Sequence, residues 1–132
     1  MTNTNIHIMD IIVDKLSHGK TLSQALKTVY SKRNVSIPFD EKFNDVSISS
    51  LDLSSRVFNP LMRNRLTTIG EVVQFCRTGG IMKARGLGKH GAIELFEAIL
   101  DWCWNHMNNK EKTNFLIDTV ERNECNIKEE LQ

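Results

Sequence analysis

A chain of 132 residues with 40% apolar content is long enough for one domain with a small appendage and a core of modest size. Its net charge of +1 excludes a uniformly basic or acidic polyelectrolyte. The odd set Cys76, Cys103 and Cys125, widely spaced and without a C-x-x-C pair, argues against a disulfide framework and for a reducing, cytoplasmic setting. The N-terminus lacks a basic n-region and Asp10 interrupts its apolar run, so neither a signal peptide nor a membrane span is expected.

In chain order, residues 1–5 are polar and expected to fray. Ile6, Met9, Ile12, Val13 and Leu16 fall at helical spacing, in a helix that should stop near Gly19. Thr21-Leu22-Ser23-Gln24 reads as a capping box opening a second helix, with Leu22, Ala25, Leu26, Val29 and Tyr30 on its apolar face. Residues 33–50 are irregular around Pro38, with Val46-Ser47-Ile48 as a brief extended piece. Ser54 or Ser55 is a good N-cap for a helix to about Asn64, and Thr68 with Glu71 forms a second capping box for a helix ending near Gly79-Gly80. Ile81 to Arg85 is expected to be a short helical turn. Residues 89–107 form the longest helix, with Ala92, Leu95, Phe96, Ile99, Cys103 and Met107 as its buried stripe. Trp102 and Trp104 cannot both lie at the centre of that stripe, so one should sit at a second interface. A last helix over about 110–122 carries Phe115, Leu116 and Val120, and the acidic tail from Glu124 to Gln132 is expected to be loose. No strand-rich region is visible. The fold class is all-α, a compact helical domain over 46–122 with an N-terminal helix pair and connector over 1–45 and a tail over 123–132.

The near-neutral total hides an asymmetry. Residues 54–91 carry seven basic side chains (Arg56, Arg63, Arg65, Arg77, Lys83, Arg85, Lys89) against one acidic, Glu71, whereas residues 92–132 carry four basic and nine acidic. A basic block of this kind points to a polyanion, and the plainer alternative is a solvated charged face. Within the block, Arg85-Gly86-Leu87-Gly88-Lys89-His90-Gly91 reads as a glycine turn opening onto a helix. Gly86 and Gly88 permit positive φ, and unpaired amides at the helix start, with Lys89 and His90 beside them, make an anion site suited to a nucleic-acid phosphate.

Residues 48–101 resemble the C-terminal domain of the bacterial RNA polymerase alpha subunit. The resemblance runs through Leu51-Asp52-Leu53-Ser54-Ser55-Arg56-Val57-Phe58-Asn59-Pro60-Leu61, then Thr68-Ile69-Gly70-Glu71-Val72-Val73-Gln74, then Gly86-Leu87-Gly88-Lys89, and Glu94 one turn into the last helix. The amino-terminal assembly domain of an alpha subunit is missing, so the chain reads as a free-standing relative. The resemblance implies a helix-hairpin-helix-like element that binds A/T-rich DNA through the minor groove and backbone, with sigma factors and activators as further contacts. It places Arg56 in the minor groove, Asn59 beside it on the backbone, and Gly88 and Lys89 at a phosphate. His90 stands where the family often has a lysine, and Glu94 matches an acidic position near that surface. Gly91 replaces a serine that offers its hydroxyl to phosphate, Met62 stands where a basic residue is common, and Pro60 lies where a helix residue would donate an N–H. Asn59-Pro60 has a second reading as an N-cap followed by Pro at the first helical position, which would move Arg56 into the preceding loop. Arg56 has a second reading as the partner of Asp52, and Asn59 as a cap.

The expected site is therefore Arg56, Asn59, Arg85, Gly86, Gly88, Lys89 and His90, binding double-stranded A/T-rich DNA without catalysis, cofactor or metal. Gly86-x-Gly-x-x-Gly91 matches a dinucleotide fingerprint only as text, since no βαβ unit surrounds it. Cys103 and His106 are two residues and not a zinc ligand set, and no catalytic constellation stands out. Three to five phosphate contacts give weak binding by one copy, which a homodimer or another partner would strengthen. The rival reading is a protein-interaction module for RNA polymerase, a sigma factor or another regulator, formed by the first two helices, Trp102 or Trp104 and the acidic tail.

Overall fold

The structure, a computed structural model, describes residues 2–31, 35–80 and 84–132. Ile81, Met82 and Lys83 lie outside the described residues, and with them most of the expected turn over Ile81–Arg85 and one cation of the basic block. The described residues form six α-helices and no strand: α1 (Asn3–Ser17), α2 (Leu22–Val29), α3 (Ser55–Arg63), α4 (Ile69–Arg77), α5 (Gly88–Asn105) and α6 (Asn109–Arg122). None of the described helices is long and apolar enough to cross a membrane.

The chain divides into two units, one of 1–39 with 104–132 and one of 40–103. This differs from a division at 45/46 and 122/123, because α6 and the residues after it pack with the N-terminal helices. In that first unit α1 begins at Thr2, whose hydroxyl accepts the Asn5 N–H, so residues 3–5 are helical rather than frayed. The Thr21–Gln24 capping box forms and opens α2, whose Leu22, Ala25, Leu26 and Val29 are all buried, with Tyr30 just beyond. The buried side of α1 is Asn5, Ile8 and Ile12, while Ile6 and Val13 are exposed. On that side Asn5 donates to the Glu124 carboxylate at 2.6 Å. On α6, opened by a capping box between Asn108 and Glu111, Phe115, Leu116 and Val120 are buried.

The tail is ordered rather than loose. Asn123, fully buried, accepts the Ser36 N–H at 2.7 Å and donates to the carbonyls of Ser36 and Thr119 at 2.8 and 2.7 Å. Beyond it, Tyr30 and Ile127 form an isolated antiparallel bridge, with the Ser31 N–H donating to the Asn126 carbonyl and the Lys128 N–H to the Val29 carbonyl. Burial of the Tyr30 ring raises its phenol to about 12.

In the unit of residues 40–103, a second bridge joins Ser47 to Thr68, where the Val46–Ile48 segment was expected to be extended. The Thr68–Glu71 capping box forms and starts α4. Ile48, Val57, Leu61, Ile69, Val72 and Leu95 are fully buried. α5 ends at Asn105, and its buried side is Gly91, Ala92, Leu95, Ile99 and Cys103. Phe96, expected in that stripe, is 46% exposed, and Met107 lies beyond the helix. The two tryptophans part as their spacing requires. Trp102 meets Phe43 edge to face at 5.6 Å in one unit, and Trp104 lies 6.0 Å from Phe115 in the other, with the Lys112 ammonium over its ring.

All three cysteines are free, and among the described residues no group of three His, Cys, Asp or Glu residues could hold a metal ion. Burial, with the Asp40 charge adding to it, pushes the Cys103 thiol up to about 12.

Candidate nucleic-acid interface

α3 starts in an unusual way. Ser54 occupies the N-cap position with extended backbone, yet its hydroxyl caps no amide of its own helix. Glu94, reaching from α5, accepts the Ser54 N–H at 2.9 Å and its hydroxyl at 3.1 Å, and so supplies the missing anion at the helix start. These bonds, the backbone one foremost, hold the Glu94 carboxyl below the usual carboxylate range, with Arg56 adding to the effect.

Pro60 lies inside α3, so the reading of Asn59-Pro60 as a helix start does not apply and Arg56 is in the first turn. Pro60 removes the N–H that would have met the Arg56 carbonyl. Arg56 is 74% exposed, and its guanidinium stands 3.7 Å from Glu94 rather than pairing with Asp52. An ion pair this open holds the arginine loosely and leaves its donors available. Asn59 is exposed on the body of the helix and is not a cap. Arg56, Asn59 and Arg63 follow one another at i, i+3 and i+7 and therefore share one face of α3.

The hairpin is held by its apolar residues. Ala84 and Leu87 are buried, whereas Arg85, Gly86, Gly88, Lys89 and His90 are exposed. Gly86 and Gly88 have φ of 87° and 70°, the left-handed conformations the turn was expected to demand. Gly86 packs on α3: a Cβ there would lie 3.7 Å from the Pro60 ring and 3.0 Å from the Arg63 guanidinium. Gly88 faces open space, with no atom within 4 Å of where a Cβ would stand. Among the described residues no side-chain group caps the amides that open α5. One turn on, Gly91 lets α5 approach α3 closely, since a Cβ there would meet Leu87 at 3.0 Å and Val57 at 3.6 Å. Gly91 thus has a packing role.

The two halves of the expected site therefore lie side by side. Pro60, Arg63 and Val57 of α3 bound the space where a side chain on Gly86 or Gly91 would stand, and Asn64 donates to the Arg85 carbonyl at 3.4 Å. Arg56 meets α5 at Glu94, about 9 Å along the helix from Gly88 at 1.5 Å per residue, rather than at the corner itself. Sequence reasoning did not place Arg63 on the face of Arg56 and Asn59, although its seven-residue offset from Arg56 was a usable signal. It also passed over the link from Glu94 to Ser54, which no local pattern encodes.

Residues 36–100, which is 65 of the 132, match the family model for the C-terminal domain of the alpha chain of bacterial RNA polymerase. Over this stretch, nearly the whole of the 40–103 unit, the protein resembles that transcription-related family of non-catalytic DNA-binding domains. No curated protein and no solved structure matches it.

Proposed function

We propose that this protein, through its unit resembling the C-terminal domain of the polymerase alpha subunit, is a transcription-associated module that binds A/T-rich duplex DNA at the minor groove and backbone. The observation that carries this reading is the exposed edge where α3 presents Arg56 and Asn59 next to an open glycine corner flanked by Arg85, Lys89 and His90. A narrow A-tract groove concentrates negative potential and favours an inserted guanidinium. Arg56 fills that role, steadied at its base by Glu94. The amides at Gly88 and Lys89 meet a phosphate, with the helix dipole and the Lys89 charge behind them. Asn59 donates to the backbone between these points.

A second reading, contact with RNA polymerase, a sigma factor or another regulator, draws support from Ile93 and Phe96, which are 44% and 46% exposed on α5. Chemical-shift mapping separates the two. A short A/T-rich duplex added at low salt is expected to shift amides over 56–60 and 85–91, with the effect fading as salt rises. Arg56→Ala is expected to lose about 1–3 kcal/mol of binding and much of any A/T preference, and Lys89→Ala to weaken all sequences alike. Absence of shifts even at low salt would overturn the DNA reading. Shifts confined to Ile93 and Phe96 on adding polymerase subunits would support the second.

A further inference from the structure

We propose that Arg63 and Arg65, with Arg85, form a second phosphate-binding edge beside the corner at Gly88, which extends the grip on the DNA backbone along that side of the groove; this rests on the DNA reading above. Arg63 closes α3 on the face of Arg56 and Asn59. Seven residues at 1.5 Å each put it about 10 Å from Arg56 along the helix axis, more than the roughly 6 Å width of a minor groove. With Arg56 in the groove, Arg63 overhangs the rim and meets phosphates rather than base edges.

Arg65 adds an independent observation. It has φ of 59°, the sole non-glycine among the described residues with positive φ. It occupies the position after the helix cap where the Leu66 N–H turns back to the Leu61 carbonyl at 2.9 Å, a site that glycine fills without strain. An arginine there sacrifices local stability, and its exposed guanidinium is what the protein gains in return. Asn64 between them donates to the Pro60 carbonyl at 2.7 Å and to the Arg85 carbonyl at 3.4 Å, which fixes the end of α3 to the turn that carries Arg85. Among the described residues, Arg63, Arg65 and Arg85 form no salt bridge, in contrast to Arg56. Three guanidinium groups without a carboxylate, carried on a braced backbone, suit the bidentate geometry of phosphate oxygens.

The test is fluorescence anisotropy on A/T-rich and G/C-rich duplexes of equal length across a salt series. Arg63→Ala and Arg65→Gly are each expected to reduce the slope of log affinity against log salt by about 0.9, and the double variant by about 1.8. The ratio of A/T to G/C affinity should stay at the wild-type value, in contrast to Arg56→Ala. Arg65→Gly should melt no lower than wild type, so that its loss of binding is not a loss of fold. Wild-type slopes in both variants would overturn the second edge while leaving the DNA reading intact. A collapse of the A/T preference in either variant would overturn the assignment to phosphates. Failure of the wild-type protein to bind either duplex at low salt would overturn the DNA reading itself.

Discussion

Glu94→Ala removes the one residue that ties the start of α3 to α5 through the Ser54 N–H and hydroxyl. The N–H bond at 2.9 Å acts as an N-cap delivered from another helix, and deleting a cap costs about 1 kcal/mol. The exposed hydroxyl bond adds about 0.5 kcal/mol at most. The contact with an arginine that is 74% exposed adds roughly 0–0.5 kcal/mol after solvent screening. The sum is about 1–2 kcal/mol, equivalent to a fall in Tm of roughly 4–8 °C for a protein of this size. Glu94→Gln keeps an acceptor for Ser54 and should lose less than half of that. It also removes a negative charge beside Arg56, worth about 0.6 kcal/mol at a phosphate some 6–8 Å away in water, so duplex affinity should rise about threefold. Thermal melts followed by circular dichroism and duplex titrations by anisotropy read both effects. A Glu94→Ala variant that melts with wild type would refute the capping role. A Glu94→Gln variant that melts normally yet loses DNA would refute the expected gain in affinity and show instead that the carboxylate is needed to hold Arg56 for the groove.

Gly88→Ala meets no steric obstacle but forces a φ of 70° on an L-residue, so stability should fall by about 1–2 kcal/mol and binding to A/T and G/C duplexes should weaken in parallel. Asn123→Ala leaves the buried Thr119 carbonyl and the part-buried Ser36 backbone without their partner; a loss of about 1–3 kcal/mol should appear in melts, and limited proteolysis should then cut within the last ten residues. Acid should destabilise the 40–103 unit through two carboxylates. Glu71, held below its ordinary range chiefly by Thr67, and Glu94, chiefly by Ser54, contribute stability above the unfolded value of about 4.3, and that contribution disappears as pH falls through their lowered folded values. The double variant Glu71→Gln, Glu94→Gln should show a flatter acid limb in a series of melts from pH 6 to about pH 3.

The parts of the fold that were legible in the amino-acid order are those whose physics is local. Two capping boxes, Thr21–Gln24 and Thr68–Glu71, need only three residues of separation, and both form. Gly86 and Gly88 likewise announce a turn that only positive φ can make. The side that α1 buries was not legible, because it is set by what the helix packs against, α2 and the distant α6, and a polar residue such as Asn5 is buried there with a partner 119 positions away. Phe96 looked like core by periodicity, yet its place on α5 leaves it 46% exposed. The acidic tail looked loose by composition, and its order comes from Asn123 and Ile127, two residues in a polar stretch. In the candidate interface, the glycines and their flanking charge pointed to the hairpin and the resemblance to the alpha C-terminal domain pointed to Arg56 and Asn59, whereas the left-handed backbone at Arg65 has no signature in residue type at all.

The unit that holds the first two helices is stitched from both ends of the sequence, whereas residues 40–103 are continuous. During synthesis the continuous piece is complete before residues 104–132 are made. The opening helices cannot finish until Phe115, Leu116, Val120 and Ile127 have been made, and until then the greasy sides of Ile8, Ile12 and Val29 lack their final cover. Any nick, stop codon or slow codon cluster after position 103 should therefore register first at the N-terminus, far away in sequence from the damage.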